Sequence, residues 1–119
     1  MGGGKASKWR ARARQRAAGR ARLREMIEDA VVDAYGESEQ IGGFYTAIDE
    51  HLAVPFETTV LGMTVTVRGV DLTDRDEIVA VCSRGRHRQA IPILDLALPS
   101  PAPDGAEWIE AYRFWAGEC

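Results

Sequence analysis

Four carboxylates lie close together between two segments that have the residue pattern of strands: Asp71, Asp74, Asp76 and Glu77. Ca²⁺ binds about six to eight oxygens in irregular geometry, so carboxylates completed by backbone carbonyls and water can hold it. The segment is not an EF-hand, because it lacks the DxDxDG spacing and the glutamate at the twelfth position. It is a candidate cation site. The alternative is a plain solvated acidic turn.

A second group of acids surrounds the predicted turn between the first two helices: Asp33, Glu37, Glu39, Asp49 and Glu50. The sequence pattern places Glu37 and Glu39 after the first helix, where no helix N-terminal dipole accounts for them. Ordinary solvation of helix ends is the alternative. The metal prediction takes the turn acids first and these two glutamates second, and it comprises Asp71, Asp74, Asp76, Glu77, Glu37 and Glu39.

Charge is divided unevenly along the chain. Nine of the 15 basic residues precede Glu25, which is the first acid, so the rest of the chain carries six bases against all 18 acids. An acidic body suits cations or basic partners, whereas a basic arm suits nucleic acid or anionic surfaces. The candidate nucleic-acid contacts are Arg10, Arg12, Arg14, Arg16, Arg84, Arg86 and Arg88. One alternative for the arm is that its arginines fold back over the acidic body. Another is an Ala/Arg extension of the first helix, or an over-long start.

Catalytic signatures are missing from the sequence. It has no nucleophile elbow, Gly-rich phosphate loop, HExxH or CxxC pair, and its two histidines are far apart. The two cysteines suit a reduced, cytoplasmic protein better than a disulfide framework or a zinc site. No signal peptide or membrane span is predicted. We therefore predict a cytoplasmic protein that is not an enzyme.

Helical periodicity begins at Leu23 and continues to Ala34, and Gly36 is predicted to end this first helix. Gly42-Gly43 is predicted to open a second short helix, which ends before Pro55. A third helix is predicted after the proline-rich segment 99–103, with Asp104 and Glu107 as its capping box. Its Trp108 and Trp115 are expected to be largely buried.

Strand-like alternation lies between these helices. Met63 to Gly69 predicts a half-buried strand, and two further β-rich runs cover 78–82 and 89–94. Helices at both ends of a short antiparallel meander predict an α+β fold, with a small, curled, SH3-like sheet. The predicted division is a basic low-complexity arm at 1–22 and an acidic domain at 23–116.

The order of these motifs resembles a known family. An acidic amphipathic helix ends at VDAYG and is followed by a short aromatic helix, a Pro55-Phe56 exit, alternating strands, an acidic turn, AIPILDL and AYRFW. This order resembles the small bacterial calcium-binding proteins of the cyanobacterial CcbP type, over Glu25 to about Trp115. The resemblance implies a cytosolic Ca²⁺ buffer or sensor without EF-hands. Its matching elements are mostly structural, namely Asp33, Tyr35, Gly36, Pro55-Phe56 and 91–93.

Two hypotheses from different classes follow. The first is a calcium-binding protein that coordinates Ca²⁺ through surface carboxylates. The second is a small-barrel interaction module that binds nucleic acid or a protein partner through the arm and the Arg84–Arg88 hairpin. The arginines of that hairpin and the basic arm are departures from the family pattern. They count against calcium affinity, because nearby cations compete electrostatically for the same carboxylates.

Overall fold

The computed structural model describes residues 19–117, which form three helices and four strands. The helices are α1 (19–31), α2 (Glu37–His51) and α3 (Ala106–Trp115), and a short 3₁₀ turn covers Ile93–Asp95. The strands are β1 (Phe56–Val60), β2 (Met63–Leu72), β3 (Ile78–Arg84) and β4 (His87–Pro92). The predicted α+β class is confirmed.

The first two helices differ from the prediction in their boundaries. α1 ends at residue 31, and Asp33 rather than Gly36 takes the left-handed conformation after it, with φ 63°. Gly36 is instead the extended N-cap residue of α2. Gly42 and Gly43 lie inside α2 and do not open it. Helix packing explains Gly43, since a Cβ there would overlap the Ala30 carbonyl of α1.

The sheet is an open antiparallel meander in the order β1-β2-β3-β4. This order is compatible with an SH3-like curl, and a bulge between Val67 and Gly69 shifts the register of β2 against β3. In a meander, alternate turns lie at the same end of the sheet. The β1–β2 turn at Leu61-Gly62 and the β3–β4 turn at Gly85-Arg86 therefore lie at one end, and the acidic turn 73–77 lies at the other.

One face of the sheet packs on the helices. Paired residues of an antiparallel sheet share a face, and Val67 of β2 pairs with Cys82 of β3 on the core side. α2 contributes Phe44 and Ile48, which are fully buried, and α3 contributes Ile109. Val67, Ile109, Phe44 and Ile48 are each 0% exposed, so this single cluster holds the sheet and helices together.

The third helix begins at Ala106, close to its predicted start, but its predicted capping box does not form. Gly105 is the N-cap, and no side chain caps the helix. Trp115 packs on Phe44 with ring centroids 5.2 Å apart, and Trp108 stacks on His51 at the same distance. Both tryptophans are half-buried against the core, less deeply than predicted.

Candidate metal centre

The acidic turn between β2 and β3 is organised by Thr73. Its amide donates to the carbonyl of Glu77 at 2.9 Å, and its carbonyl accepts from the amide of Asp76 at 3.0 Å. Its hydroxyl oxygen accepts from the amides of Arg75 and Glu77. Asp76 has φ 59°, a conformation that Asp tolerates better than most residues. The turn therefore holds its backbone without using the carboxylates of Asp76 or Glu77.

Asp71 stands at the β2 side of this turn. It pairs with Val79 of β3 and is exposed, and its Oδ1 accepts from the amide of Leu72 at 2.9 Å. Asp74 is also exposed, at the tip of the turn. Three of the predicted ligands, Asp71, Asp74 and Glu77, thus present exposed side chains around one short loop.

Glu37 and Glu39 lie in the first turn of α2. The sequence pattern predicted them in the segment after the first helix, away from any helix N-terminus. The helix N-terminus stabilises negative charge there, which gives both side chains a structural reason to be acidic. One Glu39 oxygen, Oε2, accepts from the amide of Tyr35 at 2.7 Å. Glu39 therefore secures the connection between α1 and α2, whereas no such bond engages Glu37 among the described residues.

A charge of the acidic turn and a charge of α2 both affect the pKa of Tyr112 in α3. Burial raises the pKa of the Tyr112 hydroxyl, and the charges of Glu77 and then Glu37 raise that pKa further. Tyr112 is only 6% exposed. A carboxylate of the β2–β3 turn and a carboxylate of the α2 N-terminus therefore act on one buried group, although 40 residues separate them in the sequence.

The pKa of Tyr45 in α2 is affected by acidic residues in the same way. Burial raises the pKa of its hydroxyl, and the charges of Asp49 and Asp71 raise that pKa further. Asp71 thus acts on Tyr45 in the middle of α2, whereas Glu77 acts on Tyr112 of α3. The acids that act on these two tyrosines, together with the other acids of the turn, are hereafter called the acidic face: Glu37, Asp49, Asp71, Asp74, Asp76 and Glu77.

No ion pair engages the acidic face in the described part of the chain, although Arg75 lies between Asp74 and Asp76 in the same turn. The ion pair found among the described residues joins Arg22 to Glu25 of α1, 3.8 Å apart, and involves no residue of the acidic face. Within residues 19–117, no three Asp, Glu, His or Cys side chains converge in the arrangement of a preformed metal site. The face therefore offers carboxylate oxygens that no ion pair engages, with one arginine, Arg75, in the turn and without a ready-made coordination cage.

The candidate nucleic-acid residues lie in two places. Arg10, Arg12, Arg14 and Arg16 fall outside the described residues. Arg84, Arg86 and Arg88 surround the β3–β4 turn, at the end of the sheet opposite the acidic turn. No observation among the described residues supports a nucleic-acid partner.

Within residues 19–117, no helix has the length and apolar character that crossing a bilayer requires.

Comparison with known proteins identifies the family. A family model described as "Calcium binding", of the CcbP type, matches residues 24–116. The chain belongs to this family. CcbP-type proteins are calcium-binding proteins and not a family of enzymes, and Ca²⁺ is the ligand that membership assigns to the chain.

A solved structure agrees with the fold of this CcbP-type chain. It is titled "Calcium binding protein in the calcium-binding form", and it superposes with a TM-score of 0.66 at 20% sequence identity. The match covers 81% of this chain and 90% of that one. At this identity the likeness establishes the shared fold. No curated protein is significantly similar to the chain.

The acidic face of the CcbP-type chain fits calcium in the chemistry of its donors. Its potential donors are carboxylate oxygens, which hard cations prefer, and the hydrogen bonds of Thr73 hold the turn without the carboxylates of Asp76 or Glu77. The sequence analysis did not identify Tyr112 and Tyr45 as part of the site, although charges of the acidic face raise the pKa of both hydroxyls. Of these residues, only Thr73 could have been predicted from the sequence, because Thr hydroxyls commonly close turns by accepting hydrogen bonds from nearby backbone amides.

Proposed function

We propose that the chain binds Ca²⁺ on the acidic face, with Asp74, Asp76 and Glu77 of the turn as the principal ligands and Asp71 beside them. The observation that carries this proposal is the set of exposed carboxylates around one short loop, whose backbone Thr73 holds without Asp76 or Glu77. The charges of Glu77 and Glu37, which both raise the pKa of Tyr112, support it. Like charges held near one buried group repel each other, and a bound cation relieves that repulsion. We assign Glu37 rather than Glu39 as the contribution of α2, because Glu39 already accepts from the Tyr35 amide.

Side-chain movement is part of this proposal. Since no three ligands converge among the described residues, carboxylates must rotate toward the ion, and water and backbone carbonyls complete its coordination. Such a site favours Ca²⁺ over Mg²⁺, because Mg²⁺ demands near-ideal octahedral geometry and dehydrates reluctantly. The role is that of a Ca²⁺ buffer or sensor, and we propose no catalysed reaction.

Calorimetric titration with Ca²⁺ and then Mg²⁺ tests the site. Asp74→Asn with Asp76→Asn should weaken Ca²⁺ binding at least tenfold, because two charged ligands become neutral. Asn also tolerates the left-handed conformation of residue 76, so the turn should survive. Glu107→Gln with Glu110→Gln is the matched control, since it removes the same charge from exposed positions of α3.

The result that would overturn the site is specific. If the α3 pair weakens Ca²⁺ binding as much as the turn pair, the ion responds to overall charge and not to the turn. If the unmodified chain shows neither heat nor a rise in Tm with Ca²⁺, this calcium function fails, because a ligand of the native state must stabilise it. A change in amide NMR shifts beyond the acidic face would favour a sensor over a buffer.

A further inference from the structure

An apolar groove lies at the end of the sheet opposite the acidic turn. It has a volume of about 410 Å³ and is lined chiefly by Val60, Leu61, Met63, Val65 and Ile91. These positions continue the core face of the sheet, because Val60 pairs with Met63 and Ile91 pairs with the core residue Ala80. The helices cover the rest of that face but not this end. Among the described residues, the groove is therefore an uncovered extension of the core.

Leu61 is unusual for a leucine in both its exposure to solvent and its backbone conformation. It is 95% exposed, and it has φ 50° in a two-residue hairpin turn where Gly62 has φ 78°. Positive φ at both central residues is the geometry that strongly favours Asn, Asp or Gly, not Leu. Met63, which follows in β2, is 49% exposed. Sequence choices that break local rules are expected at functional sites.

The rim of the groove is basic. Arg84, His87 and Arg88 line it, and no Asp or Glu does. The hairpin formed by β3 and β4 holds three of the six bases that follow Glu25, in a segment that carries all 18 acids. Arg84 and Arg88 are exposed, and no ion pair within residues 19–117 engages either of them. The charge around the groove is thus opposite to that of the domain as a whole.

We propose that this groove docks an acidic segment of a partner protein that carries apolar side chains. The apolar side chains enter the groove between Leu61 and Ile91. The carboxylates meet the basic rim, where Arg84 and His87 share the face of Ile91 and Arg88 follows on the same hairpin. Charge complementarity selects this occupant. The chain's own residues 1–18 contain bases and no acid, so they would be repelled by the rim.

Other occupants fit less well. Two copies of the chain related by a two-fold axis would bring two basic rims together, which is unfavourable. A flat bilayer cannot reach the concave floor at Val65 and Ile91. A nucleic acid would leave the apolar floor and the exposed Leu61 without a matching surface. An acidic, apolar protein segment satisfies both the rim and the floor.

A library of random 12-residue peptides, displayed on phage and selected on the full chain, tests this proposal. The selected peptides should combine Asp or Glu with Leu, Ile, Val or Phe. Their fluorescein-labelled forms should bind in fluorescence anisotropy titrations and shift the amide NMR signals of Val65 and Ile91. Oligo-glutamate of the same length and a 12-nucleotide oligo-dT are the comparison probes.

Two sets of variants sharpen the test. Arg84→Glu with Arg88→Glu should weaken peptide binding at least tenfold, whereas Arg20→Glu with Arg22→Glu, an equal charge change on exposed α1 positions, should not. Leu61→Asn creates the Asn-Gly pair that the turn favours, so it should raise Tm and still weaken peptide binding. A gain in stability together with a loss of binding separates a docking role from a structural one.

Several outcomes would overturn the proposal. It fails if no acidic, apolar peptides are enriched, or if the Arg84 and Arg88 reversal leaves their binding unchanged. It also fails if oligo-glutamate or oligo-dT binds as tightly as the selected peptides, since charge alone would then explain the rim. Self-association that Leu61→Asn abolishes would identify a second copy as the occupant. These results are independent of the calcium titrations, because the groove and the acidic turn lie at opposite ends of the sheet.

Discussion

Gly43 allows α1 and α2 to pack closely against each other. A Cβ built on Gly43 would overlap the carbonyl oxygen of Ala30 and would lie 3.0 Å from its carbonyl carbon. Gly42, the preceding residue of the same helix, has nothing within 4 Å of the corresponding position. The two glycines therefore form a matched pair, in which Gly42→Ala tests helix propensity alone and Gly43→Ala tests propensity and contact together.

The expected magnitudes follow from this geometry. An interior helical Gly→Ala change gains about 0.5–1 kcal/mol when the new methyl group meets nothing, so Gly42→Ala should stabilise by that amount. At Gly43 the same gain is opposed by overpacking, which costs about 1–3 kcal/mol. The opposing group is backbone, which cannot rotate away as a side chain can. Gly43→Ala should therefore be about 1–3 kcal/mol less stable than Gly42→Ala.

Urea unfolding followed by tryptophan fluorescence measures this difference. Trp108 and Trp115 both pack on α2, through His51 and Phe44, so their emission should report loss of the helix packing. The two variants should differ in transition midpoint at a similar slope m, because their unfolding exposes similar surface. Equal stabilisation of both variants would refute the close approach of α1 to α2 and the account of Gly43 given above.

Three further predictions concern Tyr112 and the core. The raised pKa of Tyr112 contributes stability that is fully present below the ordinary tyrosine pKa of 10.0 and is lost as the pH rises through the pKa of the folded protein. Tyr112→Phe should therefore reduce the loss of stability at alkaline pH. Urea titrations at several pH values measure this effect. Glu77→Gln should lower the Tyr112 pKa in ultraviolet difference titrations, whereas Glu107→Gln should not, and equal shifts would exclude a specific effect of the turn. Ile109→Ala should cost about 2–5 kcal/mol of unfolding free energy, because Ile109 is 0% exposed and its loss leaves a cavity. A cost of Ile109→Ala below about 1 kcal/mol would contradict the burial of α3 in the core.

Local signals in the sequence predicted the element types well and their boundaries less well. Alternation in Met63 to Gly69 gave β2, and the period-three and period-four spacing from Leu23 gave α1. Gly42-Gly43 was misinterpreted as a helix start because glycine pairs usually interrupt helices. In the fold, the close crossing at Ala30 outweighs the low helix propensity of Gly43, and α2 runs through both residues.

The candidate site was predictable only as two separate acidic groups. The cluster from Asp71 to Glu77 is visible in the sequence because four acids in seven residues are unusual between strands. Glu37 was proposed for the wrong local reason, since it lies at a helix N-terminus that favours acids. The metal ligands themselves remain predictions.

The sequence by itself determined the α+β class, the calcium-binding family and the excess of acids, because periodicity, motif order and composition are properties of the chain. Only the tertiary structure decided which charges share a surface. The meander places the β2–β3 turn at one end of the sheet and both other turns at the opposite end. Packing of α2 and α3 on the sheet then brings Glu37 and Glu77 to the same buried Tyr112. Long-range proximity of this kind comes from chain folding and has no local signal in the sequence.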